Sequence, residues 1–376
     1  MKKMSVRSAS SAVLAAVLFA SACHSVGGTI RIGMAGPFSQ PRGASMRLAA
    51  LQAEDEINRS GGIGGRKLEL VFGDDSASND AAVRVAQRFA GDPTVLAVVG
   101  HLTSGNTLAA AAIYNGAHPL AVISPSASAP GLTDAGPWTF VICPTDFAHG
   151  AALARFARTQ LHAATAAVEY QDDEYGRGVR NIFAQDFTTA GGQVAFADPY
   201  LDQIPVFRPY IERIKRRGGV QALLIAGTRA GAERILATLD SVGTHPAVLA
   251  GDGVVGIEAG GKAEGLYVSS AYLPDRPGDK NAAFVKAYQA RYPGQLPDHR
   301  GAGAYDVIYL LKRAIESGAT TRAAIRDYLA GVGTKTPAFD GVTGSIAFDE
   351  HRDVPAKDVV IGQVRNKRLV TVAAGR

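Results

Sequence analysis

Short apolar runs that alternate with longer helical patterns constrain this chain more than any other feature. The Val-, Ile- and Leu-rich runs at 30–35, 67–72, 95–100 and 120–124 read as strands, while 44–58, 81–90 and 107–114 carry the spacing of helices packed on a sheet. Ser60-Gly61-Gly62 stops the first of these helices. Strands joined through helices imply a parallel sheet covered on both faces. The alternation then starts again, with helices at 148–160, 178–190, 210–217 and 233–242 and strands at 166–170, 193–200, 222–226 and 247–251. Past Pro274, helical patterns at 282–292, 305–317 and 322–330 interrupt it, and strands return at 344–348 and 359–364. Two such series in 376 residues, more than the roughly 250 to 300 that one core holds, predict an α/β chain of two doubly wound parallel-sheet lobes.

Residues 1–22 read differently. A basic start is followed by the apolar core 12–20 and by small residues before Cys23, and that core is too short for a permanent membrane span, so it reads as a secretory signal. Phe19-Ala20-Ser21-Ala22-Cys23 resembles a bacterial lipobox, with Ala20 where leucine is usual. That resemblance implies a lipidated Cys23, a tether at 23–28, and an exported protein held at the membrane by its lipid. The alternative is ordinary cleavage nearby, with Cys23 a free thiol. Cys143, the other cysteine, follows Phe140-Val141-Ile142 and has no nearby histidine or cysteine in a motif, so it reads as a buried small residue. A hydrophobic content of 47% with 19% charged residues is an ordinary globular balance. With Lys2, Lys3 and Arg7 of the leader set aside, the formal +5 falls to +2, which gives nucleic-acid binding no support.

In open parallel sheets, ligands bind beyond the carboxyl ends of the strands. The residues to read are therefore 36–43, 100–104, 124–128 and 251–253. Ser104 lies at the start of the helix that follows 95–100. Its hydroxyl sits beside unpaired backbone NH groups at the positive end of a helix, which suits a carboxylate, or else it simply caps that helix. Ser126 and Ser128 supply further hydroxyls, or make a turn between Pro125 and Pro130. Asp252, between Gly251 and Gly253, reads equally as a turn aspartate or a ligand contact. Gly251-Asp-Gly-Val-Val-Gly256 satisfies G-x-G-x-x-G, but Gly260, Gly261 and Gly265 follow too soon for a dinucleotide-binding helix. There is no Walker A, G-x-S-x-G or H-E-x-x-H pattern, and the eight histidines are scattered. No catalytic residue, metal ligand or cofactor is expected, and an enzyme ranks last.

Gly36-Pro37, Glu56-Ile-Asn-Arg-Ser-Gly-Gly-Ile-Gly-Gly65, Val98-Val-Gly-His-Leu-Thr-Ser104, Ile123-Ser-Pro125, Glu174-Tyr-Gly176, Glu264-Gly265 and Phe339-Asp-Gly-Val-Thr-Gly344 occur in the order of a known family. Together they resemble the leucine/isoleucine/valine-binding family of bacterial solute-binding proteins, over nearly the whole mature chain. The resemblance implies the type I periplasmic-binding-protein fold. Its lobes, 29–143 with 274–338 and 144–273 with 339–376, are joined by three crossings. They close on a ligand that passes to the permease subunits of an ABC importer. It further implies that Ser104, with Leu102 and Thr103, and Ser126, Ala127 and Ser128 hold a ligand carboxylate. Asp252, next to Gly253, would hold its ammonium, and Tyr175 would form an aromatic wall. Two departures concern the ligand. A shortened loop brings Arg42 near the place of an aromatic, and Thr228-Arg229 stand where a tyrosine often helps hold the amino group. Arg42 and Arg229 read as a solvated rim or as partners of the ligand. The expected function is capture of a small amino acid or related carboxylate; the alternative is a ligand-sensing receptor of the same fold that signals to a regulatory partner.

Overall fold

In a computed structural model, which describes residue 1 and residues 28–375 apart from 133, 202, 203 and 205, the two series of strands form two separate sheets. The leader and Cys23 lie outside the described residues. In the first sheet, β1 (Ile30–Gly36) pairs in parallel with β2 (Leu68–Asp74) and with β3 (Val95–Val99). β4 (Val122–Ser124) and β5 (Thr139–Val141) continue it, giving the order β2-β1-β3-β4-β5. The chain turns one way after β1 and the other way before β3, which leaves a crevice beyond their carboxyl ends. α1 (Ala44–Arg59), α2 (Asn79–Gly91) and α3 (Ser104–Tyr114) connect these strands.

The chain then crosses to the second lobe through α4 (Asp146–Thr159). There β6 (Thr165–Gln171), β7 (Gln193–Tyr200), β8 (Ala222–Ala226), β9 (Ala247–Ala250) and β10 (Tyr267–Ser270) run parallel. α5 (Glu174–Thr189), α6 (Arg208–Arg217) and α7 (Arg229–Val242) link them. Here the reversal lies between β6 and β8. Apolar cores fill both faces of this sheet, one under α4 and α5 and the other under α6 and α7. Within β6, on the same face as Ala167, Glu169 is fully buried, and its carboxyl oxygens have no hydrogen-bond partner among the described residues.

A second crossing after β10 returns the chain to the first lobe. α8 (Asp279–Arg291), α9 (His299–Glu316) and α10 (Arg322–Gly331) follow, and α9 packs Val307, Ile308 and Leu311 in one core with Ile30, Ile32 and Met34. The short hairpin β11 (Phe339–Gly341) and β12 (Gly344–Ile346) sits on the same lobe. Asp306 of α9 accepts from the NH groups of Val342 and Thr343 at 2.7 and 2.8 Å, and Phe348 packs edge-on against Phe140. Residues 339–354, given to the second lobe by the sequence reading, therefore pack on the first. We propose 29–143 with 274–354, and 144–273 with 359–375, as the division. The third crossing leads to β13 (Val359–Arg365) and β14 (Arg368–Gly375), which add antiparallel strands beside β10. Their turn is Asn366-Lys367, both at positive φ, as a two-residue hairpin turn of matching twist requires. No helix among the described residues is long and apolar enough to cross a membrane.

Candidate functional site

Both reversal points open into one cleft of about 400 Å³ between the carboxyl ends of the sheets. The first lobe lines it with Gln40 and Arg42 after β1, residues 102–106 after β3, and Ser126 and Ser128 after β4. The second lobe contributes Gln171 and residues 173–175 after β6, Thr228 after β8, and Asp252 and Gly253 after β9.

On the first lobe, Thr103 caps α3: its side chain accepts from the Asn106 NH at 3.2 Å. Ser104 is not the cap. Its buried hydroxyl accepts from the NH groups of Ser128 and Ala129 at 3.4 and 3.2 Å, which ties the loop after β4 to the start of α3. With its lone pairs so engaged, the hydroxyl keeps a proton to donate. Ser124 performs a similar task one layer behind. It donates to the His101 carbonyl at 2.6 Å and accepts from the Ser126 and Ala127 NH groups at 3.3 and 2.9 Å. Ala127 is thereby turned away from the cleft and packs with Ala129, Leu132 and Val141, so the expected contact at Ala127 is a supporting residue instead. His101 is itself fixed by Asp75 at 2.6 Å. Gly100 sits at φ +139°, and a side chain there would run into the Ala35 carbonyl, so the chain leaves β3 where only glycine fits.

On the second lobe, Asp252 begins a short 3-10 turn without capping it, so its carboxylate is not used by its own backbone. The Tyr175 hydroxyl donates to Asp252 Oδ1 at 2.8 Å and accepts from the Gly253 NH at 3.0 Å. Glycines flank Asp252 for a steric reason. A Cβ at Gly251 would strike the Tyr175 hydroxyl, and one at Gly253 would lie 2.5 Å from the Gly227 carbonyl oxygen. The Asp252 Oδ2 faces His299 Nε2 at 3.5 Å, His149 Nε2 at 3.9 Å and Cys143 Sγ at 3.9 Å. Burial works against the Asp252 charge, yet His149, His299, Arg300 and the Tyr175 hydroxyl together hold its carboxyl below the usual range. Burial, reinforced by Asp252, pushes the Tyr175 phenol well up, so it remains a donor.

Cys143, His149 and Asp252 bring one ligand-type atom each within 4.8 Å of the others, as metal ligands would. The set also closes by hydrogen bonding. Burial and then Asp252 push the Cys143 thiol well up, so it keeps the proton it donates to Asp252. Burial pushes His149 down against the pull of Asp252, and its Nδ1 pairs with Ser269 Oγ at 3.0 Å.

The sequence reading missed His299 and Arg300, which begin α9. Arg300 is buried, lies 3.0 Å from Asp298 Oδ2, and donates to the Asp252 carbonyl at 3.3 Å. His299 Nε2 lies 3.2 Å from Ser126 Oγ, and burial followed by the Arg300 charge pushes its pKa down to about 4. The available signal was Asp298, a helix cap accepting from the Arg300 and Gly301 NH groups at 3.0 Å each. It follows a loop and not a strand, so a search of strand ends passes over it. Arg229 does not line the cleft; it pairs with Glu233 at 2.7 Å, four residues on in α7. Leu102, Thr103, Ser104, Ser126, Ser128, Tyr175, Thr228, Asp252, Gly253 and Arg42 all do.

The arrangement offers donors on one lobe and a buried, charged acceptor on the other. Residues 29–368 match the family described as periplasmic binding protein. The leucine-, isoleucine-, valine-, threonine-, and alanine-binding protein of Pseudomonas aeruginosa is 28% identical over 349 residues, 89% of each chain. Among solved structures, the branched-chain amino acid transporter substrate binding protein LivJ of Streptococcus pneumoniae, in complex with isoleucine, has a TM-score of 0.84 at 27% identity, covering 93% of this chain and 99% of that one. The ABC transporter substrate-binding protein of Desulfitobacterium hafniense, in complex with Leu, has a TM-score of 0.80 at 30% identity, covering 92% and 100%. These relatives are binding proteins, not enzymes. A match that spans both lobes and every strand lining the cleft places this chain in the periplasmic binding protein family.

Proposed function

We propose that this is an exported solute-binding protein that captures an α-amino acid between its lobes, tethered by a lipidated Cys23 and delivering to the permease subunits of an ABC importer. One observation carries the reading: hydroxyl donors at Ser104, Ser126 and Ser128 on one lobe face the Asp252–Tyr175 pair on the other, across a cleft of about 400 Å³. Donors suit a carboxylate, and a buried carboxylate suits an ammonium. The relatives' amino-acid ligands and the secretory leader support export and transport.

Asp252→Asn keeps the shape and removes the charge, and should weaken binding by about 2 to 5 kcal/mol. Ser104→Ala should cost less, roughly 1 to 3 kcal/mol, through one lost hydroxyl and two NH groups left without an acceptor. Calorimetry with the amino acid found on gently purified protein tests this order, and an Asp252→Asn variant that binds like wild type would remove the ammonium from the reading. Intact mass of the mature protein tests the anchor, since an unmodified N-terminus beyond Cys23 excludes lipidation.

A further inference from the structure

We infer that Cys143, His149 and Asp252 form a binding site for a borderline-soft divalent cation of the zinc class at the base of the cleft, and that the ion competes with the captured solute for Asp252. The site stands on these three residues; the competition rests on the assignment of Asp252 to the ammonium.

Three ligand types reach one point from three separate parts of the chain. Cys143 follows β5, His149 lies in the first turn of α4, and Asp252 follows β9. Cys143 Sγ lies 4.0 Å from His149 Nε2 and 3.9 Å from Asp252 Oδ2, and that oxygen lies 3.9 Å from His149 Nε2. All three separations are at the long limit for a hydrogen bond, yet they suit a coordination shell. An ion at the centre of this triangle would lie about 2.3 Å from each atom, the length of a zinc–thiolate bond, and zinc–nitrogen or zinc–oxygen bonds of about 2.1 Å need only a small inward shift.

The surroundings aim the ligands. His149 Nδ1 pairs with Ser269 Oγ at 3.0 Å, which turns Nε2 toward the triangle, as the partner of a metal-bound histidine does. The Tyr175 hydroxyl holds Asp252 Oδ1 at 2.8 Å, which leaves Oδ2 facing Sγ and Nε2. His299 of the first lobe brings its Nε2 to 3.5 Å from the same Oδ2, beside a fourth position. Thiolate and imidazole select zinc over calcium and magnesium, which take oxygen ligands. When the ion enters, the Cys143 thiol proton leaves to solvent, and thiolate and carboxylate balance the two positive charges.

Cys143 and His149 are fully buried, but Asp252 lines the cleft, so the open cleft is the ion's route. With a cation on Oδ2, Asp252 no longer presents a net negative charge to an ammonium.

Cobalt(II), which takes zinc's ligands and is coloured, tests the site. Titrated into chelator-treated mature protein, it should give a thiolate-to-metal charge-transfer band that saturates at equimolar metal and is displaced by zinc. Cys143→Ser should lose the band. His149→Gln should weaken zinc binding, read by calorimetry, by at least the roughly tenfold that losing a partner of a ligating histidine costs. Saturating zinc should weaken capture of the amino acid recovered from gently purified protein by about tenfold or more in wild type, and leave the affinity of Cys143→Ser where it was without zinc. No band in wild type, or one that survives in Cys143→Ser, overturns the site and leaves standing the head-group reading, which Asp252→Asn tests without metal. A band together with an amino-acid affinity that zinc does not move keeps the site, overturns the competition and counts against Asp252 as the ammonium's partner.

Discussion

Glu169 shows what an acid costs when, unlike Asp252, it is buried without a hydrogen-bond partner among the described residues. Burial, with Asp198 adding and Arg213 opposing, pushes its pKa up to about 9 from an ordinary 4.5. The folded chain therefore keeps a proton that the unfolded chain releases above pH 4.5. The favourable contribution is full below 4.5 and is lost as pH rises through about 9. Each pH unit in that window costs about 1.4 kcal/mol. Glu169→Gln, which cannot ionise, should therefore be more stable than wild type by on the order of 3 kcal/mol at pH 7 and no more stable at pH 4. Urea unfolding at both pH values checks this, and an equal gain at pH 4 would assign the effect to packing. At the cleft, the residue types following the strands pointed to Ser104, Ser126, Ser128 and Asp252, since the sheet ends dictate where those side chains stand, while Tyr175 entered through the family resemblance alone. They could not separate Ala127 from the serines beside it, because that depends on the Ser124 hydroxyl claiming the Ala127 NH. Nor could they find His149 or His299, whose approach to Asp252 is set by the crossings between lobes.

Strands within the strand–helix alternation were readable, and those outside it less so. β7 and β8 fall on the predicted residues, whereas β10, four residues between Gly265 and Pro274, was missed, as was β14, whose turn lacks the glycine that usually marks a hairpin. The family-like run Phe339-Asp-Gly-Val-Thr-Gly344 turns out to serve α9. Asp306 accepts from the Val342 NH, the Thr343 NH and the Thr343 hydroxyl, and Lys357 of the third crossing donates to that hydroxyl at 2.7 Å. One carboxylate thus fastens a helix, a hairpin turn and a crossing. Asp306→Ala should destabilise by about 3 to 5 kcal/mol, because it leaves the buried Lys357 charge and two NH groups uncompensated. Denaturant unfolding of the purified variant checks the size, and a loss under about 1 kcal/mol would mean that water replaces the carboxylate.

The division of labour across the whole molecule is uneven in a useful way: the hydroxyl donors belong to one lobe, while Tyr175 and Asp252 belong to the other. Closing the cleft is favoured only by a solute that binds the closed form better than the open one. Under the proposed head-group assignment, a zwitterion reaches both lobes at once. An amine lacking its carboxylate would engage Asp252 and Tyr175 alone, and an acid lacking its amine only the serine wall. Small-angle scattering should show contraction at saturation with the full amino acid and none with either half-ligand; contraction with a half-ligand would mean that one lobe's contacts suffice. Under the proposed delivery to an importer, decarboxylated or deaminated analogues would then occupy the protein in its open shape and starve the permease of cargo without being carried themselves.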